Sequence, residues 1–118
     1  MDGEVSWVVE VAVKAGHLDA FRTLMEEMVA STRAEQGALA YQWFVSDDGS
    51  AVHIYERYAS SAAVLEHLQT FGAKFAERFF AAAEPTRFFV YGAPSDEAKQ
   101  ALSGLGPTYL GPFGGFVR

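Results

Sequence analysis

The order in which the hydrophobic period changes along this chain limits its fold more than any other feature. In residues 5–13, apolar side chains alternate with other residues, a period of two that is typical of a strand with one buried face. In residues 18–33, apolar side chains recur every three or four positions, which predicts an amphipathic helix. Gly37 is well placed to end that helix.

The rest of the chain continues with a hairpin, a second helix and a last strand. Residues 38–46 and 51–58 are aromatic-rich runs around an Asp-Gly pair, which is typical of a tight turn between paired strands. Ser60 or the serine after it can cap a second helix, which we expect to end at Pro85. Residues 87–91 are predicted to form the last strand.

The predicted order is therefore strand, helix, strand and again strand, helix, strand. Right-handed crossovers and an antiparallel middle hairpin then give a ferredoxin-like α+β plait, a four-stranded antiparallel sheet with helices on one face. Alternating aromatic and aliphatic residues make the other face apolar, and pairing with a second copy of the chain would cover it. We expect a homodimer.

Two regions are expected, residues 1–94 as the domain and residues 95–118 as a C-terminal extension. Within the extension, residues 96–102 are predicted to form a short helix. The glycines and prolines of residues 103–118 exclude a further helix, yet their apolar side chains are too numerous for a free tail. We expect an arm that docks on its own subunit or on the partner.

The composition of the 118 residues disfavours several classes of function. A formal net charge of −6 disfavours binding to nucleic acid or to an anionic membrane surface, because both require clustered Lys and Arg. The absence of cysteine excludes disulfides, thiolate catalysis and cysteine-ligated metal centres. No run is apolar enough to span a membrane and the N-terminus is not a signal peptide, so a soluble cytoplasmic protein is expected.

Residues 52–61 and the helix that follows hold most of the candidate chemistry. Two of the three histidines, His53 and His67, come together there with Tyr55 and Glu56. Such side chains suit proton transfer on an aromatic organic molecule better than they suit metal binding. His67 is a candidate general base because its ordinary pKa of about 6.5 allows proton exchange near neutrality. Its alternative role is a helix histidine bonded to a backbone carbonyl.

Strand alternation separates these candidates into two faces. His53 and Tyr55 share one face of the predicted strand, and Glu56 shares the other with Ile54. If the helices cover the Ile54 face, Glu56 lies near His67 and orients its ring or carries protons. If they cover the opposite face, His53 and Tyr55 take that place. A structural ion pair is the commoner role for a strand glutamate, but we favour the pairing of Glu56 with His67.

Aromatic residues supply candidate contacts for a flat substrate. Tyr41 combines a ring with a hydroxyl and is a third catalytic candidate, and Trp43 follows it on the same strand. Phe71 and Phe75 lie on the helix face that carries His67. The candidate substrate contacts are Trp43, His53, Tyr55, Phe71 and Phe75. Core or dimer packing is the alternative role for Trp43, and core packing is the alternative for Phe71 and Phe75.

Four short segments, by their order and spacing, make the chain resemble the antibiotic biosynthesis monooxygenase (ABM) domain family of dimeric α+β barrels. The segments are Lys14 to Phe21, Glu35 to Tyr41, Tyr55 to Tyr58 and Ala63 to Leu68. The resemblance covers residues 6–92 and implies a homodimer, with one pocket per subunit between helices and sheet. It also implies a histidine at the position of His67.

The resemblance implies, for some members, oxygenation of polycyclic phenols or hydroquinones without metal, flavin or haem. Other members degrade haem, isomerise small metabolites or have no assigned activity. Haem ligation is not expected here, because Glu77 stands near the position where haem-degrading members carry the axial histidine. The three histidines of the chain are also too scattered to form a metal site.

We therefore predict a cofactor-independent monooxygenase that acts on a phenolic or hydroquinone-like polycyclic compound. In this scheme His67, helped by Glu56 or Tyr41, removes a phenolic proton, and the electron-rich anion reduces dioxygen. No metal or prosthetic group is expected. The alternatives are a non-catalytic dimer that binds a hydrophobic small molecule and an isomerase that uses the same acid/base groups without oxygen.

Overall fold

The computed structural model describes residues 3–118, which contain five strands and four α-helices. The strands are β1 Val5–Val13, β2 Ala38–Val45, β3 Ala51–Tyr58, β4 Ala83–Gly92 and β5 Thr108–Leu110. The α-helices are α1 Leu18–Arg33, α2 Ser61–Lys74, α3 Ala76–Ala82 and α4 Asp96–Leu102, with a single 3₁₀ turn at Ser103–Leu105. No helix in this part of the chain is both long enough and apolar enough to cross a bilayer. The α+β order predicted from the sequence is confirmed.

The strands form one sheet in the order β2-β3-β1-β4-β5. The central strand β1 pairs antiparallel with β3 and β4, and β2 pairs antiparallel with β3, as in a ferredoxin-like plait. β5 adds to β4 in parallel and places Leu110 beside Tyr91. The prediction of four antiparallel strands is therefore wrong by one strand. The missed strand, β5, has only three residues and lies between Pro107 and Gly111. Such a segment is too short to show the period of two by which a strand is predicted from sequence.

The hydrophobic core lies between one face of the sheet and the helices α1, α2 and α3. Alternate residues of β1 and β3 are buried there, and the Phe21, Leu24 and Met28 side chains of α1 pack against them. Ile54 and Glu56 of β3 lie on this inner face with the other buried residues of that strand, so the residues that alternate with them lie on the outer face of the sheet.

The last long strand begins at Ala83, earlier than the sequence predicts, and it includes Pro85. The register between β1 and β4 shifts between Glu10 and Val11, the latter opposite Pro85. Proline has no backbone N–H to donate to a neighbouring strand, and it is tolerated at a β-bulge such as this register shift. The Thr86 hydroxyl donates a hydrogen bond to the Glu10 carbonyl at 3.0 Å, which satisfies that acceptor beside the irregularity.

Ser60 and Gly37 fix the start of α2. The Ser60 hydroxyl accepts a hydrogen bond from the Ala63 backbone N–H at 3.1 Å, which confirms a predicted N-cap. A Cβ added to Gly37 would lie 2.5 Å from the Ala63 Cβ, so only glycine lets the loop after α1 come this close to the helix. His67 follows one turn after Ala63, so the close approach brings that loop beside His67.

Candidate functional site

A small cavity lies between the inner face of the sheet and the helices α2 and α3. Its volume is about 50 Å³. Glu56, His67 and Tyr41 bring polar groups to its wall, and most of the remaining wall is aromatic or aliphatic. The aromatic rings are those of Trp7, Phe71, Phe79, Phe80 and Phe88. The arrangement places a few ionisable groups against an otherwise apolar space.

His67 contacts a carboxylate through each of its two ring nitrogens. Its Nδ1 lies 3.1 Å from Glu35 Oε1, and its Nε2 lies 3.3 Å from Glu56 Oε1. All three side chains are buried, with exposed fractions of 6% for His67, 8% for Glu35 and 5% for Glu56. Buried charges of this kind are stable only when they pair with each other or accept hydrogen bonds.

Glu56 receives its contacts through a single oxygen atom. The Tyr58 hydroxyl donates a hydrogen bond to Glu56 Oε1 at 2.6 Å, and His67 Nε2 approaches the same atom. Within residues 3–118, every hydrogen bond and ion pair of Glu56 uses Oε1. Glu56 also lines the cavity, and its Oε2 makes no side-chain hydrogen bond or ion pair within this part of the chain.

The environment shifts the pKa values of these groups in definite directions. Burial by itself lowers the pKa of His67, but the hydrogen bond and charge of Glu56 and the charge of Glu35 outweigh it, so the net shift is upward. Burial raises the pKa of Glu35, and the charge of His67 offsets this only in part. Burial and the charge of Glu56 raise the pKa of Tyr58, which therefore remains a neutral hydrogen-bond donor.

Tyr41 completes the polar wall of the cavity. Its ring meets the His67 ring edge-on, with 5.5 Å between the centroids. Burial is the main cause that raises the pKa of Tyr41, and the negative charge of Glu56 adds to it. A tyrosine in this environment keeps its proton, so it can donate a hydrogen bond to a ligand but cannot serve as a base near neutral pH.

The structure brings some of the predicted site residues together and separates others. Lining the cavity are His67, Glu56, Tyr41 and Phe71. Trp43 instead packs on Phe21 at 5.5 Å between centroids, and Phe75 is buried at the junction of α2 and α3. His53 and Tyr55 lie on the outer face of the sheet, because their strand turns Ile54 and Glu56 towards the helices.

Sequence reasoning assigned no role to two residues of this cluster. Glu35 lies just after α1, and its only signal was its place in the second of the four family-like segments. Tyr58 is two residues after Glu56, so the strand period predicts that both side chains lie on one face of the sheet. The period does not predict the 2.6 Å hydrogen bond between them.

The donor set of the cluster does not fit a resident metal ion. Glu35 and Glu56 contact opposite nitrogens of one imidazole ring, so the three side chains cannot converge on a single ion. Within residues 3–118, no three His, Asp or Glu side chains are arranged to hold a metal.

The sequence profile described as "Antibiotic biosynthesis monooxygenase" matches residues 5–74, more than half of the chain. The chain belongs to this family. The matched residues run from β1 to the end of α2 and include Glu35, Tyr41, Glu56 and His67.

A named relative of the family is the putative monooxygenase Rv0793 of Mycobacterium tuberculosis (strain ATCC 25618 / H37Rv). It is 42% identical to this chain over 48 residues, which are 41% of the chain and 48% of the relative. That match therefore spans about half the length of the relative. The likeness to the structure of Rv0793 is wider, covering 80% of this chain and 98% of that chain at 30% identity, with a TM-score of 0.60.

Two further structures share the family fold. MupZ from Pseudomonas fluorescens matches with a TM-score of 0.87 and 23% identity over 99% of this chain and 96% of that chain. SnoaB from Streptomyces nogalater, described as a cofactor-independent oxygenase, matches with a TM-score of 0.67 and 16% identity over 79% of this chain and 95% of that chain. The likeness to MupZ thus extends into the C-terminal residues.

Proposed function

We propose that this protein is a cofactor-independent monooxygenase that oxidises a phenolic or hydroquinone-like polycyclic compound with dioxygen. The observation that carries the proposal is the buried Glu56–His67 pair, both of whose residues line an aromatic cavity. Membership of the monooxygenase family and the likeness to an oxygenase described as cofactor-independent support it.

Proton transfer to Glu56 is the first step of the proposed reaction. Glu56 Oε2 takes the proton from a phenolic hydroxyl of the substrate, and the electron pair of the broken O–H bond stays on the substrate as a phenolate. His67 remains behind Glu56 as a positive charge at the cavity wall and stabilises that anion. Positioned general bases accelerate such transfers by about 10²–10⁴-fold.

The phenolate then reduces dioxygen without help from another redox group. A substrate carbon activated by the phenolate forms a bond to one oxygen atom, and the O–O bond breaks. That oxygen remains in a quinone-type product, and the other leaves as water with two hydrogens from the substrate. The substrate supplies all electrons, so the protein contributes orientation, a dry environment and proton transfer.

The cavity must open before a polycyclic molecule can bind. Its volume of about 50 Å³ is far below the roughly 300–1,000 Å³ typical of pockets for drug-sized ligands. Phe80 and Leu105 line it and are partly exposed, so they stand at its mouth. We propose that these two side chains swing aside on binding.

We also propose that two copies of the chain pair through the outer face of the sheet. Val8, Tyr55 and Phe89 lie half-buried near the middle of that face. The charged residues around them are already paired within the subunit, Arg57 with Glu4 and Arg87 with Glu10, each at 2.8 Å. A face whose charges are already neutralised and whose centre is apolar suits a second identical face.

Oxygen consumption by metal-stripped protein tests the proposed activity. With anthrol- and naphthohydroquinone-type substrates, we expect uptake above the spontaneous rate, and a loss of about 10²-fold or more in Glu56→Gln. Glu26→Gln makes the same chemical change at an exposed position of α1 and is expected to retain the wild-type rate. Equal rates in wild type and Glu56→Gln would contradict the proposed role of Glu56.

A second candidate function, an isomerase, has a specific observation in its favour. The base Glu56 lies directly beside a proton donor, His67, which is the pairing needed to move a proton between two positions of one substrate. Conversion of substrate with no dependence on dioxygen would identify this activity. Ligand binding with no conversion would instead identify a small-molecule binding protein.

A further inference from the structure

One buried titratable group, Glu35, has no part in the reaction proposed above. It lies in the loop between α1 and β2 and reaches His67 Nδ1 with both carboxylate oxygens, at 3.1 and 3.4 Å. It lines no part of the cavity wall, so it does not touch a ligand bound there. Placing a carboxylate in this environment costs free energy, which calls for a compensating interaction.

The geometry of the ring determines where its protons lie. A neutral imidazole has one N–H and one bare nitrogen, and the bare nitrogen repels a carboxylate oxygen because both are acceptors. Here each ring nitrogen faces a carboxylate, Glu35 on one side and Glu56 on the other. Both contacts are favourable at once when both ring nitrogens carry a proton.

Within residues 3–118, the elements packed around His67 supply no competing positive charge. Tyr58 of β3 and Tyr41 of β2 face the ring with centroids 5.0 and 5.5 Å away, and Trp7 of β1 faces it at 6.5 Å. Both tyrosines have raised pKa values and stay neutral. The charged groups that act on His67 are therefore Glu56 and Glu35, while Glu66 on α2 acts on Glu35.

We propose that Glu35 is a positioning residue that holds His67 as a doubly protonated imidazolium, whose Nε2 forms an ion pair with Glu56 Oε1 at 3.3 Å. This role rests on the proposed function only in that it explains how Glu56 becomes the base. The contacts of Oε1 with His67 and Tyr58 restrain the carboxylate and leave Oε2 without a side-chain partner within residues 3–118. His67 is then a fixed cation and not the group that takes the substrate proton.

Loss of Glu35 has two consequences that a purely structural role would not produce. Removing a negative charge in contact with His67 lowers the pKa of the ring by about one to three units. If activity requires the imidazolium, the alkaline limb of the pH–rate profile moves to lower pH by the same amount. Glu35→Gln keeps an acceptor oxygen of similar size, so it removes the charge with the least change in packing.

The test is an NMR titration of the His67 ring nitrogens, which needs no substrate. In the wild type at neutral pH we expect both nitrogens to be protonated, and in Glu35→Gln we expect titration at least about one pH unit lower. Glu66→Gln removes the same charge from an exposed neighbour that does not touch His67, and it is expected to leave the titration nearly unchanged. Glu35→Asp restores the charge and should recover most of the shift.

Either of two results would overturn the proposal. One is a wild-type His67 that is neutral at pH 7 with a single ring N–H. The other is a titration that is the same in wild type, Glu35→Gln and Glu35→Asp, provided that circular dichroism shows all three folded. Absence of oxygen uptake with every substrate would count against the monooxygenase proposal, but it would leave the role of Glu35 to be decided by the titration.

Discussion

At the scale of single residues, Glu56 has two oxygen atoms in two different situations. Oε1 accepts a hydrogen bond from Tyr58 at 2.6 Å and lies 3.3 Å from His67 Nε2, whereas Oε2 has no side-chain partner within residues 3–118. Hydrogen bonds to a charged group contribute about 1.5–3 kcal/mol each, so the carboxylate is held firmly without losing its second oxygen. In the proposed reaction, a carboxylate anchored in this way is already in place to accept a proton.

The stability of the fold is expected to fall as pH rises above about 6.5. The pKa of His67 lies above its ordinary value, so in the interval between the two values the folded chain holds a proton that the unfolded chain has released. Raising the pH through that interval favours the unfolded chain, by about 1.4 kcal/mol for each unit of pKa shift. The pKa of Glu35 is raised as well, so its titration also lowers the stability of the fold as pH rises. This contribution begins at lower pH than that of His67, because an ordinary carboxyl group titrates at lower pH than an imidazole.

Urea unfolding between about pH 6 and pH 9 measures this decline. His67→Gln has no ring to titrate, so its decline should be shallower, although its overall stability is lower because two buried carboxylates lose their shared cation. His17→Gln removes an exposed histidine and should behave as the wild type does. A wild-type stability that is constant or rises over this range would contradict the upward shift of the His67 pKa.

At the scale of elements, the contact between the loop after α1 and the first turn of α2 decides the site. Gly37 allows this contact because a Cβ there would lie 2.5 Å from the Ala63 Cβ. The contact brings Glu35, from a loop near the start of the chain, to His67 on a helix far along it. The site is thus assembled by packing between two elements and not by one local motif.

Gly37→Ala is expected to destabilise the fold by about 1–3 kcal/mol, because the added methyl group overpacks the contact with α2. It should also weaken the pairing of Glu35 with His67. Gly72→Ala is the matched control, since a Cβ there meets nothing within 4 Å. Gly72 lies in the last turn of α2, where alanine should stabilise the helix by up to about 0.5–1 kcal/mol. Urea unfolding measures both variants against the wild type. The account would be contradicted if the two unfolding midpoints shifted in the same direction.

The sequence predicted the elements better than it predicted the site. Periods of two and of three to four residues identify β1, α1 and the hairpin because each element is long and has one buried face. Alternation also separated His53 from Glu56, but it could not tell which face of β3 the helices cover. Glu35 was missed because its contact with His67 depends on tertiary packing 32 positions apart, which no local pattern records.

At the scale of the whole molecule, the outer face of the sheet sets the expected assembly. We predict a dimer at micromolar concentration, because the apolar centre of that face otherwise stays in contact with water. Tyr55→Lys places a charge near that centre and should give monomers, whereas Gln69→Lys on the exposed side of α2 should not. Light scattering after size exclusion measures the mass, and a monomeric wild type would contradict the prediction.

The wall of the cavity is divided between the part of the chain that the family profile matches and the part that follows it. Glu56, His67 and Tyr41, the polar residues of the wall, lie within residues 5–74. Five of its apolar residues come later, namely Phe79, Phe80, Pro85, Phe88 and Leu105. A relative that shares only the matched part would keep the proposed proton-transfer residues and surround them with a different apolar wall. Under the proposed function, differences in the shape of the bound molecule should therefore be sought in the last third of the chain.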